Sequence, residues 1–312
     1  MFKTLIATLP RRKFWTPNAH YHVNLKAGEN TLNLQVNRVL LRSLVQNKGI
    51  YNLQGCLQDY VAFMTRENSA NDTFAESYHR GFFANLASGK TLLECAAPES
   101  MLTTAIHVLK NPYRSNLDHD SASIGAFVQL PLVFLANIQY PLHELEKICL
   151  NHMHTTHQSA QLDEYCSVFV RFLHDVYTGE DLRRSAEKAG LELSFDLKKL
   201  WANSPDSPTC TEAQLKLDRK VIGGVFSSAC YISDSFPSIL YLAGKYDHSL
   251  EEALVSNANV GGDNCHRGAV LGMIMGLTGK FTIPQKWIDE LEDKEAILEE
   301  VMAFVKSVNL PQ

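Results

Sequence analysis

A chain of 312 residues with 45% hydrophobic content is long enough to bury a sizeable core, as one large domain or two ordinary ones. Its formal charge of −5 and the lack of a long Lys/Arg block exclude the electrostatic footprint of a nucleic-acid or anionic-lipid surface. Seven scattered cysteines (Cys56, Cys95, Cys149, Cys166, Cys210, Cys230, Cys265) without a CxxC pair read as free thiols of a reducing compartment, not as a disulfide framework.

In chain order, the first apolar run is short, from Thr4 to Leu9, and leads into Pro10, Arg11, Arg12 and Lys13, the wrong order for a secretory signal. No stretch reaches the roughly 20 apolar residues that span a bilayer. The expectation is a cytoplasmic protein without membrane or nucleic-acid partners. From residue 31, Leu32, Val36, Val39, Leu40 and Leu44 fall on one helical stripe running toward Gly49, with Asn30 as N-cap. A second helix is expected over 73–89. A third, over 122–136, contains Pro131 and should kink or divide there. Further helices are expected over 142–152, 159–177, 180–190, 251–258 and 284–291, where Pro284 suits a first turn. The stretch 201–211, with Ser204-Pro205-Asp206-Ser207-Pro208, reads as a surface loop within one domain. Period-2 alternation is absent, so the fold class is all-α, a single compact multi-helix domain.

The most informative segment is NANVGGDNCHRGAVLGMIMGLTG, residues 257–279. A Gly-Gly turn leads to Asp263, placed as an N-cap, and an apolar helix follows that should be central and nearly inaccessible to water. In it Gly268, Gly272 and Gly276 recur every fourth residue, a row that invites close approach by another helix. GGDNCHRG lacks GxGxxG and follows no strand, so it is not a dinucleotide fingerprint.

The stretch EALVSNANVGGDNCHRGAVLGMIMGLTGKFTIPQKWIDEL resembles the C-terminal signature of ADP-ribosylglycohydrolases, in which a GGDTDT-type turn opens a small-residue helix followed by IPxxW. Upstream, AGENTLNLQVNRVLLRSL resembles the family's TDDT-type helix start, and His154-Thr155-Thr156-His157-Gln158-Ser159 its Thr-His segment. The resemblance implies an all-helical domain that binds two divalent cations, usually Mg²⁺, and cleaves an N- or O-glycosidic bond to ADP-ribose. Carried over by position, Glu29 and Asn30 take the places of the two TDDT aspartates. Asp263, Cys265 and His266 take those of Asp, Asp and Thr in the second turn, and Arg267 follows. The family's N-terminal Gly-Asp element has no match, as though that segment were lacking.

These substitutions change the chemistry. Mg²⁺ prefers carboxylate, carbonyl and water oxygens, whereas Asn30, Cys265 and His266 stand where acids or hydroxyls are expected. Three alternatives follow for the ligand set Glu29, Asn30, Asp263, Cys265 and His266. One metal remains, drawn toward Zn²⁺; or there is no metal, and the helix start with His266 and Arg267 takes an anion such as a phosphate; or the site is structural. If the hydrolase reading holds, Glu29 is the general base, Asp263 its catalytic partner, and Glu29 and Asn30 lie beside Asp263, Cys265 and His266 at the floor of one cleft. The alternative is a non-catalytic ADP-ribose-binding or crystallin-like protein on the same fold. Around that cleft, His20-Tyr21-His22 precedes Glu29, and Asp72, Glu76 and His79 can share a helix face or form an ordinary solvated one. His119, Asp120, Ser121 and Ser123 resemble a substrate-contacting loop of the family. With His22, Asp72 and Arg267, the serines Ser121 and Ser123 make the expected substrate-binding set. His152, His154 and His157 fit a metal triad or a capped helix end.

Overall fold

Helix caps, more than helix interiors, decide where the elements of this protein begin. The computed structural model describes residues 22, 25–72, 74–95, 122–202 and 212–308. Among them are fourteen α-helices and one 3₁₀ turn, with no strand beyond the isolated bridges Ser123–Tyr231 and Ile222–Phe226. The expected all-α class is what is found.

Helix α1 spans Leu32–Gln46 and buries the expected stripe Leu32, Val36, Val39, Leu40 and Leu44. Its N-cap is Thr31, not Asn30, and Thr31 makes no side-chain cap bond. The Leu32 N–H instead donates to the carboxylate of Asp72 at 2.8 Å, a cap supplied from forty residues away. Helix α2, Leu53–Thr65, is capped by Asn52, whose side chain accepts the Gly55 N–H at 3.0 Å. Helix α3, Ser77–Ala87, starts later than the expected residue 73, because Asp72 also accepts the Phe74 N–H at 3.1 Å and Glu76 is still extended. Thr73 itself lies outside the described residues.

Pro131 divides its segment as expected, into a 3₁₀ turn, Ile124–Phe127, and α4, Leu130–Ala136, with the proline in the first turn. Next come α5, Leu142–Met153, α6, Ala160–Tyr177, and α7, Leu182–Glu192, whose Asp181 cap accepts the Arg184 N–H at 2.9 Å. The loop expected over 201–211 opens at the end of α8, Leu197–Ala202, and the rest of it lies outside the described residues. Then follow α9, Glu212–Val221, α10, Ile232–Lys245, α11, Leu250–Val260, and α12, Asn264–Leu277. After these, α13, Gln285–Asp289, has Pro284 as its N-cap, not inside its first turn, and α14 spans Lys294–Ser307.

The centre of the main core is α10, in which every residue from Ser235 to Gly244 is buried. A helix covered on all sides has no polar face to give a 3.6 period, and Pro237 sits in its interior, so the sequence did not reveal it. Gly244 leaves a socket for Trp201: a Cβ there would lie 2.3 Å from the indole, whose N–H donates to the Tyr241 carbonyl at 3.0 Å. A polar hub ties α9, α10 and α11 together. Asp218, fully buried, accepts from Tyr241 at 2.8 Å, Lys245 at 2.5 Å, Tyr246 at 2.6 Å and Ser256 at 2.5 Å.

Helix α12 packs on α11 and α10, and its first half is buried from His266 to Leu271. The expected glycine seam is not built at Gly272 and Gly276. Gly268 is buried, but a Cβ on Gly272 would meet only Leu254, at 3.8 Å, and one on Gly276 would meet nothing within 4 Å. The second half of the helix buries Ile274 and Met275 in the core and leaves its Gly272–Gly276 edge without a close helix crossing. Two outcomes follow for thermal or denaturant unfolding. Gly272→Ala should stabilise by about 0.5–1 kcal/mol, since the added methyl fits and the unfolded chain loses freedom. Asp218→Ala should destabilise by roughly 3–5 kcal/mol, because it leaves the nearly buried Lys245 ammonium without its counter-ion.

Candidate functional site

Two helix starts and one extended residue meet over the N-terminal end of α12. Gly262, at φ +66°, is held so close to Ser228 that a Cβ would lie 1.9 Å from its carbonyl oxygen, and the Asp263 N–H donates to that oxygen at 2.9 Å. Only glycine fits this turn. It aims Asp263 as the N-cap of α12, with its carboxylate accepting the His266 N–H at 3.4 Å. The same carboxylate holds His266 Nδ1, 2.8 Å from each oxygen.

Glu76 comes to the other side of the His266 ring, with its Oε2 3.7 Å from Nε2. Glu76, Asp263 and His266 offer one ligand atom each, all within 4.8 Å of one another, and this is the one such group of three or more His, Cys, Asp or Glu among the described residues. Asn33, on the first turn of α1, connects them. Its amide nitrogen donates to Glu76 Oε2 at 2.8 Å and is in close contact with His266 Nε2. Its carbonyl accepts from Tyr78 at 3.1 Å and from His79 at 3.0 Å. Behind this cluster a small cavity continues inward, lined by Tyr60, Tyr78, His79, Gln129, His152 and His157 among others. Two buried polar atoms have no partner here: Nε2 of His157, on the cavity wall, and Oγ of Ser123. Ser123 and Glu76 flank Gly125, where a Cβ would lie 2.8 Å from Glu76 Oε2 and 3.4 Å from Ser123 Oγ.

Electrostatics separate the histidines. Burial drives His266 toward neutrality, but the Asp263 and Glu76 carboxylates outweigh it and raise its pKa to about 9. Burial, reinforced by the positive His266, pushes His79 and His157 down to about 3, so both stay neutral. Burial also opposes ionisation of Asp263, and the charges of His266 and Arg267 overcome it, holding the carboxyl below its usual range. A protonated His266 has N–H groups at both nitrogens, which sets its Nε2–H against the Asn33 amide; the neutral ring with its proton on Nδ1 gives that amide a lone pair instead. The neutral form, steered by Asp263, has the Nδ1–H···carboxylate arrangement of a metal-ligating histidine with Nε2 open toward Glu76.

The residues anticipated from sequence are distributed unevenly. Asp263 and His266 belong to the cluster. Glu29 and Cys265 are not in the ligand group: the carboxylate of Glu29 accepts from the Lys26 N–H at 2.5 Å and from the Asn71 amide at 3.0 Å, and the thiol of Cys265 points to Asn264 Oδ1 at 3.7 Å. Neighbouring residues on a helix point about 100° apart, so His266 and Cys265 cannot both face Glu76. Asn30 is on the half-buried loop before Thr31. Arg267, expected at a ligand, is fully buried, and its nitrogens donate to Asn257 Oδ1 at 2.8 Å, the Ser228 carbonyl at 3.2 Å and the Gly261 carbonyl at 2.7 Å. It clamps the turn from behind.

Asp72 is likewise an architectural group. It caps α1 and holds His22 Nδ1 at 2.8 Å, and these bonds outweigh burial and keep its carboxyl below its usual range. Ser123 stands beside Glu76, while Ser121, His119, Asp120, His20 and Tyr21 lie outside the described residues. His152 bonds Tyr51 and Gln129, each at 2.8 Å, and His154 pairs with Asp163 at 2.7 Å, so the histidines 152, 154 and 157 form no triad. Glu76 was visible in the sequence only as one member of the Asp72, Glu76, His79 trio. Asn33 carried no signal, since an asparagine on a predicted helix reads as solvated surface.

The profile of a family described as ADP-ribosylglycohydrolase matches residues 3–311. An uncharacterized protein of Archaeoglobus fulgidus is 39% identical over 78 residues, 25% of this chain and 24% of that protein, so the match spans about a quarter of that relative's length. Among solved structures, a chain from an "ADP-ribosylglycohydrolase-related protein complex" superposes with a TM-score of 0.58 over 90% of this chain and 82% of its own length. The two are 17% identical, which makes this a likeness of fold.

His266 gives the protein a distinctive pH dependence. Its folded pKa of about 9 stands above the ordinary 6.5, so its contribution to stability is fully present below pH 6.5 and is lost as pH rises through about 9. Between pH 7 and 9.5 the wild type should lose stability that His266→Asn does not lose. The His266 ring should titrate near 9 by NMR, and a midpoint near 6.5 would show that the two carboxylates do not act on it.

Proposed function

Because this chain belongs to the ADP-ribosylglycohydrolase family, we propose that it hydrolyses the glycosidic bond of an ADP-ribosylated substrate at the Glu76–Asp263–His266 cluster, with one divalent cation held there. The observation that carries this reading is the convergence of two carboxylates and one imidazole within 4.8 Å, beside an unpartnered buried hydroxyl, Ser123. An orphaned polar atom at a ligand-bearing cluster calls for a partner.

The donor set selects the kind of ion. Two carboxylates and an imidazole are too few hard oxygens for a two-Mg²⁺ cluster, but they match a single ion that accepts nitrogen as well as oxygen, such as Zn²⁺ or Mn²⁺. Glu76, Asp263 and His266 would hold it, and it would supply Lewis-acid charge at the sugar end of the substrate. The remaining work belongs to the chain. Asp263 fixes the tautomer of His266 through the Nδ1 contact. Asn33 orients Glu76 through its 2.8 Å bond. Glu76 is the carboxylate that takes the proton from the attacking water, in the place anticipated for Glu29. The neutral Tyr78, His79 and His157 form a wall that excludes bulk water from one side.

One observation favours a second reading, a protein that binds ADP-ribose without cleaving it. Asp263 and a protonated His266 satisfy one another in the absence of any cation. The test is hydrolysis of ADP-ribosyl-arginine and ADP-ribosyl-serine peptides by the purified protein, with metal analysis and chelation in parallel. Turnover should require a bound divalent ion. Glu76→Gln should abolish it with the fold intact, Asp263→Ala should remove the ion, and Glu29→Gln should retain activity. Gly125→Ala should leave the melting temperature close to wild type while displacing Glu76 and lowering turnover. ADP-ribose binding with neither metal nor turnover would decide for the second reading.

A further inference from the structure

The Asn33 amide has two unlike ends, and its surroundings treat them differently. Its nitrogen donates to Glu76 Oε2 at 2.8 Å and touches His266 Nε2, while its oxygen accepts from Tyr78 at 3.1 Å and from His79 at 3.0 Å. Turned by 180°, the amide would set its oxygen against the Glu76 carboxylate, an acceptor against an acceptor. The cluster alone does not settle the orientation. Glu76 calls for the nitrogen end, but His266 Nε2 calls for the nitrogen when it holds a lone pair and for the oxygen when it holds a proton. Tyr78 is indifferent, because a hydroxyl both donates and accepts.

His79 is stricter. A ring nitrogen of a neutral imidazole either donates or accepts, according to the tautomer. Burial keeps His79 neutral, with its pKa pushed down to about 3. Its tautomer is set from the far side of the ring, where Nδ1 lies 2.6 Å from the Tyr60 hydroxyl. Both residues are buried, and this ring is the hydroxyl's one hydrogen-bond partner among the described residues. A proton on Nδ1 would make Tyr60 the acceptor and strand the phenolic proton in the interior, where polar groups are almost always paired. With Tyr60 donating, the imidazole proton is on Nε2 and meets the Asn33 oxygen, so both ends of the ring are satisfied. Phe82 and Phe83, with ring centroids 5.2 and 5.5 Å from that of Tyr60, hold the phenol in place.

We propose that His79 is a positioning residue for the Glu76–Asp263–His266 cluster: its Nε2–H, fixed by Tyr60, holds the Asn33 oxygen and so keeps the Asn33 N–H on Glu76 and His266. The effect on catalysis rests on the hydrolase reading above, whereas the orientation itself does not. The line runs from Tyr60 on α2 through His79 on α3 to Asn33 on α1, and it reaches the cluster only through Asn33. It carries orientation and no proton, since a neutral amide is neither an acid nor a base at ordinary pH. Removing an outer partner of this kind lowers metal affinity or activity by about 10–100-fold.

The test uses the full chain as wild type, His79→Gln and His79→Leu. Imidazole ¹⁵N NMR of the wild type should find the His79 proton on Nε2. Solvent exchange of the Asn33 side-chain amide protons should be slow in the wild type and at least about tenfold faster in His79→Leu, as the lock is lost. Zn²⁺ affinity by calorimetry should fall by about tenfold or more in His79→Leu. It should stay within about threefold of wild type in His79→Gln, whose amide N–H replaces the Nε2–H; a residue that merely packs would give no such rescue. Where the wild type turns over ADP-ribosylated peptides, His79→Leu should lower kcat and leave KM within about twofold. A wild type without turnover defeats the hydrolase reading alone, because the tautomer and the amide exchange need neither substrate nor ion. A His79 proton on Nδ1 in the wild type would overturn the proposal, and that reading needs no variant to fold. Asn33 exchange and Zn²⁺ affinity unchanged in His79→Leu would overturn it as well.

Discussion

The guanidinium of Arg267 is the cation around which the site is organised. It is wholly buried, and its three donors reach the end of α11 at Asn257, the turn at Gly261 and the segment before α10 at Ser228. Burial opposes its charge strongly enough to lower its pKa to about 10, and Asp263 is the acid that counters this most. A buried cation is stable only when its donors are matched and an opposite charge is near. That condition fixes where Asp263 stands, and with it the position of His266 one helical turn later.

From Asp263 the arrangement propagates through charge. Asp263 turns the His266 ring, the ring faces Glu76, and Asn33 joins Glu76 to the neutral pair Tyr78 and His79. The elements involved are α1, the extended residue before α3, and the start of α12. Each is placed by a cap: Asp72 for α1, the Asp72 turn for the delayed start of α3, and Asp263 for α12. The neighbouring histidines are kept neutral by burial, so among the histidines of the site the positive charge falls on His266.

How much of this was legible in the sequence differs from element to element. Helices with one wet face, such as α1, α6 and α7, declared themselves through a 3.6 period, and Pro131 divided its segment as its missing N–H requires. Helix α10 was hidden because burial on all sides removes the period. The glycines of α12 were read as a seam by their spacing, yet Gly276 faces open space, because spacing specifies a row and not what covers it. At the site, Asp263 and His266 were legible from the Gly-Gly turn and the family likeness. Glu76 was one of several acids that the sequence ranked alike, and Asn33 was not legible at all.

By itself the sequence determined the helical class and the turn that presents Asp263, since these depend on residue identity and local spacing. Only the tertiary structure decided which distant carboxylate completes the cluster. Glu29 and Glu76 are both glutamates close to a helix start. Glu29 turns back to the Lys26 N–H, while Glu76, extended before α3 and backed by Gly125, reaches His266. The Asn33 amide that holds Glu76 and the Asp72 carboxylate that caps α1 at Leu32 likewise act across forty or more positions, which no local pattern encodes.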